Sequence, residues 1–206
     1  MNGDGGSYPL VTMSVRLPAS ARREQILEVA VAVFARFGFH EASMNDVADA
    51  AGVTKPVLYQ HFDSKQELYV ALLEEAGSRL QERFSRAVAA AQDGKQTTEL
   101  SMRAYFRWVS DDHDAFVLLF GSRAARDEES TAVIRRITDS MAASIAPLIS
   151  ADIDPDHQRR LAVGLVGMVE GVSRHLVERG EPFDPDLVAR QMADLAWAGL
   201  RVAHRT

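Results

Sequence analysis

Residues 44–62 read MNDVADAAGVTKPVLYQHF, and this stretch decides the fold. Ala48 is small enough for two helices to approach closely, and Gly52, four residues later, suits a tight turn that requires a positive φ angle. The apolar residues that hold the two helices together are Val47, Ala51, Val53 and Leu58. The spacing predicts a helix-turn-helix. Helical proteins without that motif contain similar spacings, so the flanking sequence matters.

Helical periodicity extends outward on both sides of this stretch. Apolar residues recur at three- and four-residue spacing over residues 21–37, before Gly38, and again over residues 65–91, which contain one glycine and no proline. Predicted N-caps for the second, third and fourth helices are Ser43, Thr54 and Ser64. Five more helices are predicted at about residues 97–110, 113–123, 128–149, 156–179 and 184–204. The sequence therefore predicts an all-α protein with nine helices.

This pattern divides the chain into three regions. Residues 1–18 begin with a glycine-rich stretch, show no periodicity and are predicted to be a flexible arm. Residues 19–66 are predicted to form a three-helix domain that contains the helix-turn-helix. Residues 67–206 are predicted to form a larger helical domain.

The composition is that of a globular protein with a packed core, with 47% hydrophobic and 25% charged residues. The absence of cysteine excludes disulfides and thiolate zinc sites. The longest apolar run, residues 161–169, is far shorter than the roughly 20 residues that a membrane span requires. The N-terminal residues do not have the pattern of a secretion signal, so we expect a cytoplasmic protein that does not cross a membrane.

A longer pattern around the helix-turn-helix resembles the DNA-binding domain of the TetR family of regulators. The matching run is Ser43-x-x-x-Val47-Ala48-x-x-Ala51-Gly52-Val53-Thr54-x-x-x-Leu58-Tyr59-x-His61-Phe62-x-Ser64-Lys65-x-x-Leu68. The similarity covers about residues 22–72, and beyond it only the number and order of helices match. Pro56 departs from the family pattern and removes one amide that can contact phosphate, but proline is tolerated in the first turn of a helix.

The resemblance implies that the third helix is a recognition helix that enters the major groove of DNA. Lys55 can bond guanine acceptors, Gln60 can bond adenine, and Val57 can contact a thymine methyl group. The expected base contacts are Thr54, Lys55, Val57 and Gln60, and the expected phosphate contacts are Ser43, Tyr59, His61 and Lys65. Arg22 and Arg23 are expected to reach either flanking phosphate or a minor groove. Each side chain also suits a plainer role: Tyr59 and Phe62 as core aromatics, His61 as a structural residue, Lys65 as a solvated lysine.

The net charge of −6 is unusual for a protein that binds DNA, so its distribution matters. Residues 16–66 contain six Lys or Arg and six Asp or Glu, and the excess acid lies elsewhere. Phosphate binding depends on the cations at the contact face. A neutral segment is therefore compatible with DNA binding without requiring it.

The last two helices combine an apolar stripe with small residues. Three glycines in the interior of one helix weaken it by about 1 kcal/mol each, so close packing against another helix is expected in compensation. The resemblance implies that these helices form a four-helix bundle with a second copy of the chain, and the alternative is an internal core. The expected dimer contacts are Gly164, Gly167, Gly171, Leu195 and Gly199.

The resemblance further implies that helices four to eight enclose a pocket for a small apolar or amphipathic effector. The expected lining residues, which also suit a plain core, are Trp108, Phe116, Phe120, Met141, Met168 and His175. Glu170 lies among apolar neighbours, so its carboxylate requires a partner. That partner is either an internal arginine, Arg103 or Arg107, or the effector itself.

Enzymatic function is not expected, because the six histidines occur singly and outside any HExxH or Glu-x-x-His motif. No catalytic residue, cofactor or metal site is therefore predicted. The expected function is a regulator that binds an inverted-repeat operator as a homodimer and is released by its effector, most often as a repressor. The alternative is a helical protein that binds a small molecule or acts as an adaptor without specific DNA binding.

Overall fold

A computed structural model describes residues 18–121, 127–149 and 153–203, and nearly all of them are helical. The α-helices are α1 (Ala19–Glu41), α2 (Met44–Ala50), α3 (Lys55–Tyr59), α4 (Lys65–Val88), α5 (Gly94–Asp111), α6 (His113–Phe120), α7 (Glu128–Ile145), α8 (Pro155–Arg179) and α9 (Pro185–Ala203). The described ranges contain no β-strand. The predicted all-α fold with nine helices is confirmed. The predicted arm, apart from Pro18, lies outside the described residues.

Side-chain caps explain where most of the helices begin. The Ser43 hydroxyl accepts a hydrogen bond from Asp46 N at 3.2 Å, and the Ser64 hydroxyl accepts one from Glu67 N at 3.0 Å. Asp93 caps α5 in the same way, so α5 begins three residues before the predicted position. Thr54 precedes α3 as predicted, but its side chain makes no capping bond.

Four helices end three or four residues from their predicted positions. The helices α4 and α6 end early, at Val88 and Phe120, and a glycine or a proline marks the other two ends. The helix α1 continues past Gly38 to Glu41, with a kink where Gly38 adopts φ 77° and ψ 166°. The helix α7 ends at Ile145, and the chain continues as one 3-10 turn over Ala146–Leu148. Pro147 explains that end, because proline has no amide hydrogen for an α-helical bond.

A single hydrophobic core runs through both predicted domains. Ile26, Val47 and Leu58 are fully buried among α1, α2 and α3, and Leu72 and Leu80 carry the core along α4. The helix α4 packs against α5 and α7, α6 packs against α1, and α5 packs extensively against α9. The helix-turn-helix is therefore attached to the larger domain through α4 and through the contact between α1 and α6. None of the described helices is long and apolar enough to cross a membrane.

Candidate DNA-binding surface and effector pocket

The turn between α2 and α3 has the geometry that the sequence predicts. Gly52 adopts φ 63°, and an added methyl group there would meet no atom within 4 Å. The requirement for glycine therefore comes from the backbone conformation and not from crowding. Val53 N donates to Ala48 O at 3.0 Å across the turn, and Ala48 is 3% exposed. These contacts fix α3 relative to α2.

The helix α3 is anchored on one side and exposed on the other. Leu58 is completely buried, whereas Thr54, Lys55 and Gln60 are exposed. Tyr59 is 41% exposed, which does not fit a core aromatic, and Lys55 Nζ lies 6.0 Å from the centroid of its ring. The remaining predicted contacts, Val57 and His61, are half-buried. The exposed face therefore carries a cation, a hydroxyl, a phenol and an amide, which are groups that can bind base edges and phosphates.

The first turn of α1 lies beside this motif. Arg22 Nη1 donates to Gln25 Oε1 at 2.8 Å, and Gln25 Nε2 donates to Ala51 O at 3.3 Å. The Arg23 guanidinium lies 4.9 Å from the centroid of the Phe62 ring, which is itself buried as a core residue. Two cations from α1 are thereby held next to the helix-turn-helix.

Ser43 is less available for a phosphate than the sequence suggests. Its hydroxyl donates to Asp46 Oδ2 at 2.6 Å, and its backbone amide donates to the same oxygen at 2.8 Å. These bonds from Ser43 lower the pKa of the Asp46 carboxyl. A carboxylate at this position repels phosphate, so the capping role of Ser43 competes with the predicted contact.

Lys65 also differs from the expectation of a phosphate contact. Its ammonium donates to the carbonyl oxygens of Phe39 at 2.7 Å, His40 at 3.3 Å and Ala42 at 2.9 Å. It also lies 4.6 Å from the centroid of the Phe39 ring. A cation at these carbonyls satisfies groups that the end of α1 leaves without helical partners. Lys65 therefore joins α4 to the end of α1.

Replacing Lys65 with methionine should lower the free energy of unfolding by about 2 kcal/mol, because three carbonyls lose a charged donor. The slope of DNA affinity against salt concentration should stay unchanged, because no phosphate contact is lost. Urea unfolding and a salt titration of DNA binding measure the two quantities. If the variant instead had a flatter salt slope and unchanged stability, Lys65 would contact a phosphate, as the sequence predicts.

An apolar cavity of about 140 Å³ lies in the larger domain, among α4, α5, α7, α8 and α9. Hydrophobic side chains supply most of its wall: Phe84, Met102, Met141, Ile145, Leu148, Ile149, Leu165, Val166, Val169, Trp197 and Leu200. Thr97, Thr98 and Ser101 also line it, but their hydroxyls donate to carbonyls one turn earlier in α5. The cavity is therefore suited to an apolar ligand.

Of the predicted lining residues, the structure places only Met141 in this cavity. Trp108, Phe116 and Phe120 instead form a packed row, with ring centroids 6.1 Å and 5.6 Å apart, and each is at most 5% exposed. Met168 is half-buried outside the cavity and His175 is exposed. The residues Leu165, Val166 and Val169 form the face of α8 that lines the cavity.

Glu170 pairs with a different arginine from the two that the sequence suggests, Arg103 and Arg107. Its carboxylate pairs with Arg174, one turn along α8. Arg107 forms two bonds with the Asp186 carboxylate, from Nε at 2.9 Å and from Nη2 at 2.8 Å, and Arg103 lies 3.6 Å from the same carboxylate. The carboxylate of Glu170 is thus paired inside the chain, but neither candidate arginine reaches it because both join α5 to α9.

The predicted dimer contacts are uncovered in the single chain. An added methyl group at Gly164, Gly167, Gly171 or Gly199 would meet no atom within 4 Å. Leu195 is 60% exposed, and Val163, Leu187 and Val202 are between 45% and 64% exposed. These four glycines of α8 and α9 therefore do not pack against another helix within the described part of the chain, which disfavours the internal-core alternative. Groups of His, Asp and Glu suited to a metal ion are also absent from the described ranges.

Comparison with known proteins identifies the relatives of the chain. Residues 26–72 match the bacterial regulatory proteins of the tetR family, and residues 95–199 match the tetracyclin repressor-like C-terminal domain. The HTH-type transcriptional activator FasR of Mycolicibacterium smegmatis is 34% identical over 187 residues, which cover 90% of this chain and 85% of that protein. The HTH-type transcriptional repressor KstR2 of Mycobacterium tuberculosis is 28% identical over 185 residues, 88% of this chain and 81% of that protein.

Solved structures share the fold. A TetR-like transcriptional regulator from Rhodococcus sp. RHA1 has a TM-score of 0.76 at 29% identity, covering 90% of this chain and 99% of that one. The regulator FadR from Bacillus subtilis, solved in complex with stearoyl-CoA, has a TM-score of 0.73 at 18% identity. The match covers 84% of this chain and 96% of that one. The resemblance noted in residues 22–72 is confirmed and extends over the C-terminal domain. The chain belongs to the TetR family of bacterial regulatory proteins and is a helix-turn-helix transcription regulator.

Proposed function

We propose that a homodimer of this chain binds an inverted-repeat operator through α3 and loses affinity for it when an acyl effector occupies the apolar cavity. The observation that carries the proposal is the exposed face of α3, where Thr54, Lys55, Tyr59 and Gln60 surround the buried anchor Leu58. Arg22 and Arg23 lie beside this face and extend its positive charge. Loss of DNA affinity relieves repression or ends activation, depending on where the operator lies.

The proposed dimer rests on the uncovered surface of α8 and α9. Its glycines leave room for a second pair of helices to approach closely, and exposed leucine and valine side chains border them. Burying such a surface in a dimer offsets the low helix propensity of the glycines. Two-fold symmetry then places two copies of α3 in successive major grooves, about 34–36 Å apart or at a related helical spacing.

The effector class follows from the cavity and from the relatives. The wall is almost wholly apolar, and Bacillus subtilis FadR, which shares the fold, was solved with stearoyl-CoA. A Bacillus subtilis protein named fatty acid metabolism regulator is also 26% identical over 94 residues. The cavity of about 140 Å³ is similar in size to one that holds benzene, near 150 Å³. An acyl chain longer than a few carbons must therefore displace the surrounding helices.

Two contacts between α4 and α7 can carry that displacement to the DNA-binding motif. A methyl group at Gly77 of α4 would lie 2.7 Å from Ile137 Cδ1 of α7, so these helices pack closely. Nearer the motif, Gln66 Nε2 donates to Asp127 Oδ1 at 2.9 Å and to Ser130 Oγ at 3.2 Å. Gln66 is in the first turn of α4, which follows α3 in the chain. A shift of α7 therefore moves this end of α4 through the hydrogen bonds of Gln66.

Replacing Gln66 with alanine should reduce the coupling free energy between effector and DNA by about 0.5–2 kcal/mol, while effector affinity without DNA stays unchanged. The coupling is measured as the ratio of operator dissociation constants with and without stearoyl-CoA. Gln81→Ala is the matched control, because Gln81 Nε2 donates from α4 to Ser144 Oγ of α7 at 3.4 Å, far from the motif. Equal coupling in wild type and Gln66→Ala would exclude this route.

The test of the proposed function begins with selection of bound duplexes from a random DNA pool. The selected sequence should be an inverted repeat, the complex should contain two chains by sedimentation, and stearoyl-CoA should lower the affinity by about 5- to 150-fold. A monomer that binds DNA specifically would contradict the dimer. Acyl-CoA binding without sequence-specific DNA binding would support the alternative of a ligand-binding protein that does not regulate transcription.

A further inference from the structure

Tyr105 differs from the other polar residues that line the cavity, because the hydroxyls of Thr97, Thr98 and Ser101 all bond backbone carbonyls. Along α5, the lining residues recur from Gly94 to Tyr105, and Tyr105 is the last of them. The hydroxyl of Tyr105 is buried and makes no hydrogen bond of normal geometry, although the Ser173 hydroxyl lies near it, and the side chain as a whole is 6% exposed. A buried hydroxyl without a well-formed hydrogen bond destabilises the fold, and a ligand that supplies an acceptor would remove that cost.

The neighbours of Tyr105 on α8 include two more buried polar atoms without a hydrogen bond of normal geometry. Ser173 lies one turn beyond the cavity residue Val169 on α8, is completely buried, and also has an unpaired hydroxyl. The Nε atom of Arg174, next along the helix, is buried without a partner, while another nitrogen of its guanidinium bonds Glu170. Polar groups of Tyr105, Ser173 and Arg174, from two helices, therefore lie close together beside one end of the cavity, and the nearby Glu170 carboxylate is already paired with Arg174.

The charge state of Tyr105 supports this description. Burial raises the pKa of its hydroxyl far above the ordinary value, and the negative charge of Glu170 adds to the rise, while Ser173 and Arg174 oppose it. The phenol is therefore neutral and protonated at physiological pH, so its hydroxyl is available as a donor. These opposing influences also require Ser173, Arg174 and Glu170 to lie close to the phenol oxygen.

We infer that Tyr105 and Ser173 bind the acyl oxygen of the effector, a carbonyl or carboxylate, at the end of the cavity where Tyr105 lies, with the hydrocarbon chain along the apolar wall toward the other end. This inference rests on the proposed acyl effector and specifies how it is recognised. A wall of hydrocarbon alone discriminates weakly between ligands, whereas a buried donor disfavours any ligand that lacks an acceptor. Tyr105 thus selects acyl compounds over apolar molecules of the same shape.

The test compares Tyr105→Phe, which removes one oxygen, with wild type. Calorimetric titration with dodecanoate and with dodecanoyl-CoA measures the affinity for the free acid and for the thioester separately. The variant should lose affinity by about 5- to 100-fold for at least one probe, and the affected probe identifies the form whose oxygen reaches the phenol. Ser173→Ala should weaken the same probe.

Tyr69→Phe is the matched control, because Tyr69 is equally buried but its hydroxyl donates to Leu118 O at 3.1 Å outside the cavity. Without ligand, Tyr105→Phe should raise the thermal midpoint by about 2–4 °C, and Tyr69→Phe should lower it. Equal probe affinities in wild type and Tyr105→Phe, or a lower midpoint for Tyr105→Phe, would overturn the inference alone. If wild type binds neither probe, the proposed effector class fails and the inference fails with it.

Discussion

Replacing Phe116 with alanine should lower the free energy of unfolding by about 3–5 kcal/mol. The Phe116 side chain is completely buried between Trp108 and Phe120, so its removal leaves a cavity in the contact between α5 and α6. Urea denaturation followed by circular dichroism measures the change. Phe37→Ala is the control, because Phe37 is 42% exposed and the same substitution there should cost much less.

A different result for Phe116→Ala would alter the assignment of the pocket. If the variant kept wild-type stability and only bound the effector more weakly, the aromatic row would be part of the effector site, as the sequence suggests. The structure instead gives the row a role in holding α6 against α5.

Reversing the charge of Lys55 with Lys55→Glu should lower operator affinity by about 100-fold or more, since an attraction to bases or phosphates becomes a repulsion. The thermal midpoint should barely change, because Lys55 is exposed. Fluorescence anisotropy with a labelled operator measures the affinity.

The control for this reversal is Lys95→Glu, which changes the net charge equally at an exposed position on α5. Affinity should fall steeply for Lys55→Glu and little for Lys95→Glu. Equal losses would show that overall charge, and not the surface of α3, controls DNA binding.

The helix-turn-helix could be predicted because its determinants are local. The positive φ at Gly52, the burial of Ala48 and the Ser43 cap each depend on residues close in the sequence. The role of Lys65 could not be predicted in this way. Its three acceptors lie more than 20 residues earlier in the chain, and only the kink of α1 at Gly38 directs them toward α4.

The cavity was harder to predict, because residue type does not reveal which face of a buried helix meets a void. Trp108 and Tyr105 are one turn apart on α5 and both are buried, yet only Tyr105 lines the cavity. Trp197 was not predicted to line the cavity, because the apolar residues of α9 were expected to contact the partner subunit alone. Residues on opposite sides of this helix instead contact the cavity and the solvent. The ring of Trp197 faces the cavity while Gly199 and Leu195 face outward.

The helices α8 and α9 each contact the cavity on one side and the proposed partner subunit on the other, so effector binding to one subunit affects the other. On α8, Leu165 and Val169 face the cavity while Gly164 and Gly167 face the proposed partner, so both surfaces move with one rigid helix. In the proposed dimer, a first effector molecule that displaces α8 also changes the packing around the empty second cavity. Effector titrations should therefore deviate from a simple hyperbola, and the Hill coefficient will report whether occupation of one subunit favours or opposes occupation of the other.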